Sequence, residues 1–167
     1  MTIEQYKNMT PRIDPSATVF DSAALAGDIT VGKFSSIWFN ASLRGDMAPI
    51  TIGDRTNIQD NAVVHTNIGM PTHIGSNVTV GHSAIIHACT VEDDALIGMG
   101  SILLDGCVVE QGALVAAGTV VPPGKRVPAR TLVLGNPMRI IRELTDEELA
   151  ANRLNAQHYI DLMNDYK

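Results

Sequence analysis

Along most of the chain an aliphatic residue returns at every sixth position. Ile13, Val19, Leu25, Val31, Ile37 and Leu43 open the series, and small residues such as Ala17, Ala23 and Ala41 stand four places behind their repeat starts. The pattern resumes at Ile52, Ile58 and Val64, then at Ile74, Val80 and Ile86. It shortens by one residue and continues in steps of six from Val91 to Val127, giving nineteen starts. A period of six fits neither a 3.6-residue helix nor a simple alternating strand. It predicts an all-β solenoid of triangular section, each hexad a short strand plus a turn and three hexads making one coil. The aliphatic residue points inward and the small residue lets the chain round the corner. Nineteen hexads predict about six coils, stacked at a sheet spacing of roughly 4.8 Å.

Solenoid ends expose backbone and need caps. Gly135, Asn136 and Pro137 break the pattern, and Thr145 followed three residues later by Glu148 reads as a helix capping box. The spacing predicts a helix to about Asp165, with Leu149, Ala156, Ile160 and Met163 near one face. The chain therefore divides into a solenoid, 1–134, and a linker with a C-terminal helix, 135–167. The helix is expected to buttress the solenoid or a neighbouring subunit.

Composition sharpens this picture. Hydrophobic residues make up 45% of the chain but aromatic ones only 4%, so the core must be narrow and aliphatic. Twelve Lys+Arg against eighteen Asp+Glu leave a net charge of -6, which argues against nucleic acid or an anionic membrane as partner. No apolar run is long enough to span a bilayer, and the first residues lack the apolar core of a signal peptide. A cytoplasmic protein is expected. Cys89 and Cys107 stand 18 residues apart, which predicts stacked, reduced thiols.

Candidate chemistry gathers where the hexads are interrupted. Leu43 to Ile52 spans nine positions and Val64 to Ile74 spans ten, so both insertions leave the same corner, one coil apart. Insertions on a rigid scaffold are where sites tend to be built. His65 and His87 each directly follow a repeat start and should stack in one column on the third face, with Arg44 one coil earlier. His82 falls on the second face, with Asp60 beneath it. One chain cannot readily converge all three histidines, but in a cyclic homotrimer His65 and His87 of one subunit can meet His82 of the next. Three sites per trimer are expected. Three neutral imidazoles with an open fourth position make a catalytic zinc arrangement, and the same ligands suit Fe²⁺ or Co²⁺. Such an ion makes hydroxide available from its bound water near neutral pH. His73, in the second insertion, and His158, on the helix, fit neither column.

The runs SSIWFNASLRGD, ITIGDRTNIQDNAVVH and VTVGHSAIIHACTV, together with IGMGSILLDG and the GNP-to-helix ending, resemble the γ-class carbonic anhydrases over nearly the whole chain. The resemblance implies a left-handed parallel β-helix, a handedness that the period alone does not dictate. It implies His65, His82 and His87 as metal ligands, His82 coming from the adjacent subunit. Arg44 and Asp46 match an interface pair beside the metal, Gln59 a residue placed to hydrogen-bond water or bicarbonate, and Asp60 one that orients the arginine. Tyr159 matches a helix residue lining the site in some members. The implied reaction is reversible hydration of CO2 to bicarbonate by metal-held hydroxide. Where the archaeal prototype carries proton-transfer glutamates, this chain has Met47 and Ile68, and 66–72 holds no acid.

Other readings stay open at this point. A hexapeptide-repeat acyltransferase using CoA shares the solenoid but needs no metal. A metal-dependent thioesterase would use the same ligands on another electrophile. A non-catalytic metal-binding trimer would keep the site without turnover.

Overall fold

A computed structural model describes residues 1–166 as a parallel β-solenoid closed by one C-terminal helix. Short strands such as Asn57–Ile58, Thr79–Val80 and Leu96–Ile97 stack in parallel, with Ile58, Val80 and Ile97 in register and fully buried. The core is the inward column of each face, almost all Val, Ile and Leu with Ala at the corners. Each such side chain taken from water contributes about 1.5–3 kcal/mol. The third residue after most repeat starts takes a positive φ, as at Asn40, Asn61 and Gly106. Asn and Gly tolerate that conformation, which is why they recur at the turns.

The second face is an eight-stranded sheet in which the last strand, Arg139–Glu143, runs antiparallel to Thr131–Leu134. Seven parallel layers result, one more than the nineteen hexads suggested. Ile3 pairs with Leu25 below the first predicted start, and Val133 pairs with Val115 above the last. Ile3 escapes the count because ten positions separate it from Ile13, whereas Val133 simply continues the six-residue step.

The two interruptions differ in kind. The first is not a loop: Ser42–Ile52 is one continuous strand that rounds the corner against Ala24–Val31, with a register shift between Gly27 and Ile29. The two strands approach so closely there that a Cβ on Gly45 would stand 2.4 Å from the carbonyl oxygen of Asp28. Only glycine fits. The second is a tight turn in which the backbones of Asn67 and Met70 exchange N–H···O bonds, and Tyr6 and Met9 repeat that arrangement at an earlier insertion. His73 lies beyond the turn, in the strand Thr72–Ile74 between Thr51 and Thr90.

The helix Asp146–Asp165 starts at Thr145, whose side chain accepts from the Glu148 N–H while Glu148 accepts from the Thr145 N–H. Leu149, Ala156, Ile160 and Met163 are buried as predicted, together with Asn152. Ile160 and Met163 pack on Phe20 and Trp38. Trp38 stacks on Phe20 at 4.4 Å and meets Tyr159 edge-on at 5.4 Å. The few aromatic residues are thus concentrated where the helix docks on the second face. Cys89 and Cys107 are free and buried. The Cys107 thiol and burial together push Cys89 up.

Candidate metal centre

Backbone register brings Arg44, His65 and His87 into one column, each paired with the next across adjacent coils. Nδ1 of His65 and Nε2 of His87 lie 3.2 Å apart. Each ring is held from behind by a carboxylate: His65 Nε2 lies 3.1 Å from Asp46 Oδ1, and His87 Nδ1 lies 2.5 Å from Asp105 Oδ1. Asp46 also accepts from Arg44 at 2.5 Å. Burial pushes Asp46 upward, but the bonds from Arg44 and His65 outweigh it and hold its carboxyl below the usual range. Asn67 donates to Asp105 Oδ2 at 2.8 Å, and Asn67 first, then His87, hold that carboxyl down as well.

His82 stands apart, on the second face. Its Nδ1 is 2.9 Å from Asp60 Oδ2, and its side chain is 45% exposed, against 14% for His65. Gln59 is buried and pinned at both ends, its Nε2 donating to Asn57 Oδ1 and its Oε1 accepting from the His82 N–H. Beside His82 a largely apolar chamber of about 350 Å³ is lined by Gln59, Leu96, Met99, Leu114, Asn155 and Tyr159. Burial and the Asp60 charge raise the Tyr159 phenol. Within the chain Asp60 is engaged by His82 and Arg44 by Asp46. An Asp60–Arg44 contact of the kind the resemblance implies would have to run between subunits.

The donor set fits a cation. In the tautomers that put both ring protons on the nitrogens facing Asp46 and Asp105, the two remaining nitrogens would point lone pairs at each other across 3.2 Å. That arrangement is repulsive unless a positive charge stands near both, and imidazoles backed by carboxylates are the usual outer arrangement of metal-binding histidines. Among the described residues no three His, Cys, Asp or Glu side chains converge within one chain as a complete metal site. Asp105 was missed in the sequence, although it lies 18 residues after His87, about one coil above it. Counting places Leu104 over His87, because Ile86 pairs with Leu103, so Asp105 falls one position off the column.

The stacked hexads, the interrupted corner and the carboxylate-backed histidines define a hexapeptide-repeat protein with an imidazole-based site. No family model matches the chain. Gamma carbonic anhydrase 2, mitochondrial, of Arabidopsis thaliana is 50% identical over 167 residues, covering 96% of this chain, which spans 60% of that relative's length. A carbonic anhydrase of Geobacillus kaustophilus is 44% identical over 165 residues, covering 99% of this chain and 91% of its own. The crystal structure of a hexapeptide transferase family protein from Anaplasma phagocytophilum superposes with a TM-score of 0.96 at 42% identity, covering 99% of this chain and 98% of its own. The chain belongs to the γ-carbonic anhydrase family.

Proposed function

We propose that this protein catalyses the reversible hydration of CO2 to bicarbonate, as a homotrimer with metal sites at its subunit interfaces. The observation that carries the reading is the facing pair His65 Nδ1 and His87 Nε2, each ring backed by its own aspartate. The names of the carbonic anhydrase relatives support the choice of substrate. His65 and His87 hold a divalent ion from one subunit, and His82, half-exposed on another edge of the prism, completes the set from the next. Zinc suits three imidazoles, and Fe²⁺ or Co²⁺ would be held by the same atoms. When bound, such an ion supplies the Lewis-acid charge that makes water nucleophilic near neutral pH.

The chain's own residues do the rest. Asp46 and Asp105 keep the two ring protons away from the ion. Gln59, immobilised by Asn57 and the His82 backbone, retains one amide N–H to orient a bicarbonate oxygen. The apolar chamber beside His82 admits a small uncharged molecule. Arg44, bonded to Asp46, ties the column to the interface. Tyr159 lines the chamber from its helix side.

The test is stopped-flow CO2 hydration on metal-quantified protein, loaded with zinc or, anaerobically, with ferrous iron. A rate above buffer background that vanishes in His82→Ala supports the proposal. No rate at full occupancy overturns it. A metal-free acyltransferase, the reading favoured by the transferase neighbour, would instead bind acetyl-CoA without metal.

A further inference from the structure

We infer that Asp105 is a positioning residue for His87, and that the turn inserted after Val64 holds it in place through Asn67. The inference rests on the proposed metal site. Both carboxylate oxygens of Asp105 are committed to side chains, Oδ1 to His87 Nδ1 at 2.5 Å and Oδ2 to the Asn67 amide at 2.8 Å. Asn67 is itself fixed, because its Oδ1 accepts from the Ile68 N–H at 2.8 Å and its backbone closes the turn with Met70. Asn67 and Asp105 are 38 residues apart, so the contact bridges separate coils. The Met70 methyl reaches over the same turn, 3.6 Å from where a Cβ on Gly106 would stand.

The chemistry follows from the tautomers of imidazole. A carboxylate aimed at Nδ1 keeps the proton there and leaves the lone pair on Nε2, the nitrogen that faces His65. Without Asp105 the ring can carry its proton on either nitrogen and can rotate, and only one of those states presents a ligand atom. The insertion that carries no acid for proton transfer thereby has another task. It clamps the carboxylate that aims a ligand.

The experiment measures zinc affinity by competition with a chromophoric chelator, with fold checked by circular dichroism, on full-length protein. Loss of an outer carboxylate partner typically weakens metal binding 10–100-fold, so Asp105→Ala is expected to fall by about that factor and Asn67→Ala by less. In Asp105→Asn the new amide faces the Asn67 amide, donor against donor. Adding Asn67→Asp restores an acceptor there, and the double variant is expected to bind zinc more tightly than Asp105→Asn alone. This rescue also serves should Asp105→Ala fail to fold. Zinc affinity unchanged in folded Asp105→Ala overturns the inference and leaves the metal site standing. Failure of rescue, with Asn67→Ala equal to the parent, overturns the part assigned to the turn. Absence of zinc binding in the parent overturns the metal site and this inference with it.

Discussion

Asp60 reaches up one coil to His82, placing its Oδ2 2.9 Å from Nδ1 and leaving Nε2 as the ring nitrogen free to meet another molecule. Asp46 backs His65 at Nε2, and Asp105, from the coil above, backs His87 at Nδ1. Each of the three histidines therefore has its own aspartate. His82 is the most exposed of the three, which in the proposed trimer leaves its Nε2 to the neighbouring subunit.

Mixed subunits test that division of labour. His65→Ala and His82→Ala proteins are each expected to lack CO2 hydration, since every site in either homotrimer lacks a ligand. In a trimer reassembled from equal amounts of both, about one interface in four draws an intact half from each parent. Hydration should return to roughly a quarter of the parental rate per site. Two inactive variants that stay inactive after verified mixing would show that His82 is not donated by a neighbouring subunit.

Proton export should depend on buffer. Met47 and Ile68, which stand where the prototype has glutamates, are exposed, Ile68 at 81%. With no acid at these places, kcat at saturating CO2 is expected to climb with imidazole concentration before levelling. Ile68→Glu should raise kcat in weak buffer by about a hundredfold, the lower end of what a placed acid–base group supplies. Stopped-flow measurements across buffer concentrations read both effects.

Acid should loosen the helix start. Two bonds from Arg142 and one from the Thr145 N–H hold Glu148 down to about 2, below its ordinary 4.5. Its contribution is therefore fully present above pH 4.5 and disappears as pH falls toward 2. The difference in melting temperature between parent and Glu148→Gln should shrink over that window and stay constant above it. Thr145→Ala removes the reciprocal bond and is expected to cost about 1 kcal/mol at neutral pH.

The aromatic cluster predicts how the helix is held. Trp38 is buried between Phe20 and Tyr159, and its indole N–H donates to Ser36 Oγ at 2.9 Å. Trp38→Ala should destabilise by about 3–5 kcal/mol. Because Tyr159 and Asn155 line the chamber beside His82, the same change should lower kcat/KM for CO2 without altering zinc affinity. In the parent, fluorescence of the single Trp should report helix release before the solenoid unfolds.

Gly45 and Gly69 should behave oppositely. A methyl at Gly45 collides with the Asp28 carbonyl, whereas one at Gly69 meets nothing within 4 Å and bears only the strain of its positive φ. Gly69→Ala should cost about 1 kcal/mol. Gly45→Ala should displace the strand carrying Arg44 and Asp46 and reduce zinc affinity as well as stability.

The sequence made most of this fold readable because one inward aliphatic residue per hexad is both a necessary and a visible condition of the solenoid. The column of Arg44, His65 and His87 followed by counting, as did His82 above Asp60. What counting lost were features set by backbone path rather than period. The nine positions from Leu43 to Ile52 look like a loop, yet the Gly27–Gly45 contact lets the strand run straight through. Ile3 was hidden behind its own insertion. Asp105 lies one position off the His87 column, and the fork it makes between His87 and Asn67 joins three coils and has no linear signature.

The seven-layered stack has a consequence for where such a site can be. The vertical distance between His65 and His87 is inherited from the hydrogen-bonded ladder and is the same between any two neighbouring rungs of the column. The scaffold acts as a ruler with uniform graduations. A pair of imidazoles written one rung higher would keep the same separation, so the site's address along the prism axis is set by the neighbouring insertions and aspartates, not by the rungs themselves.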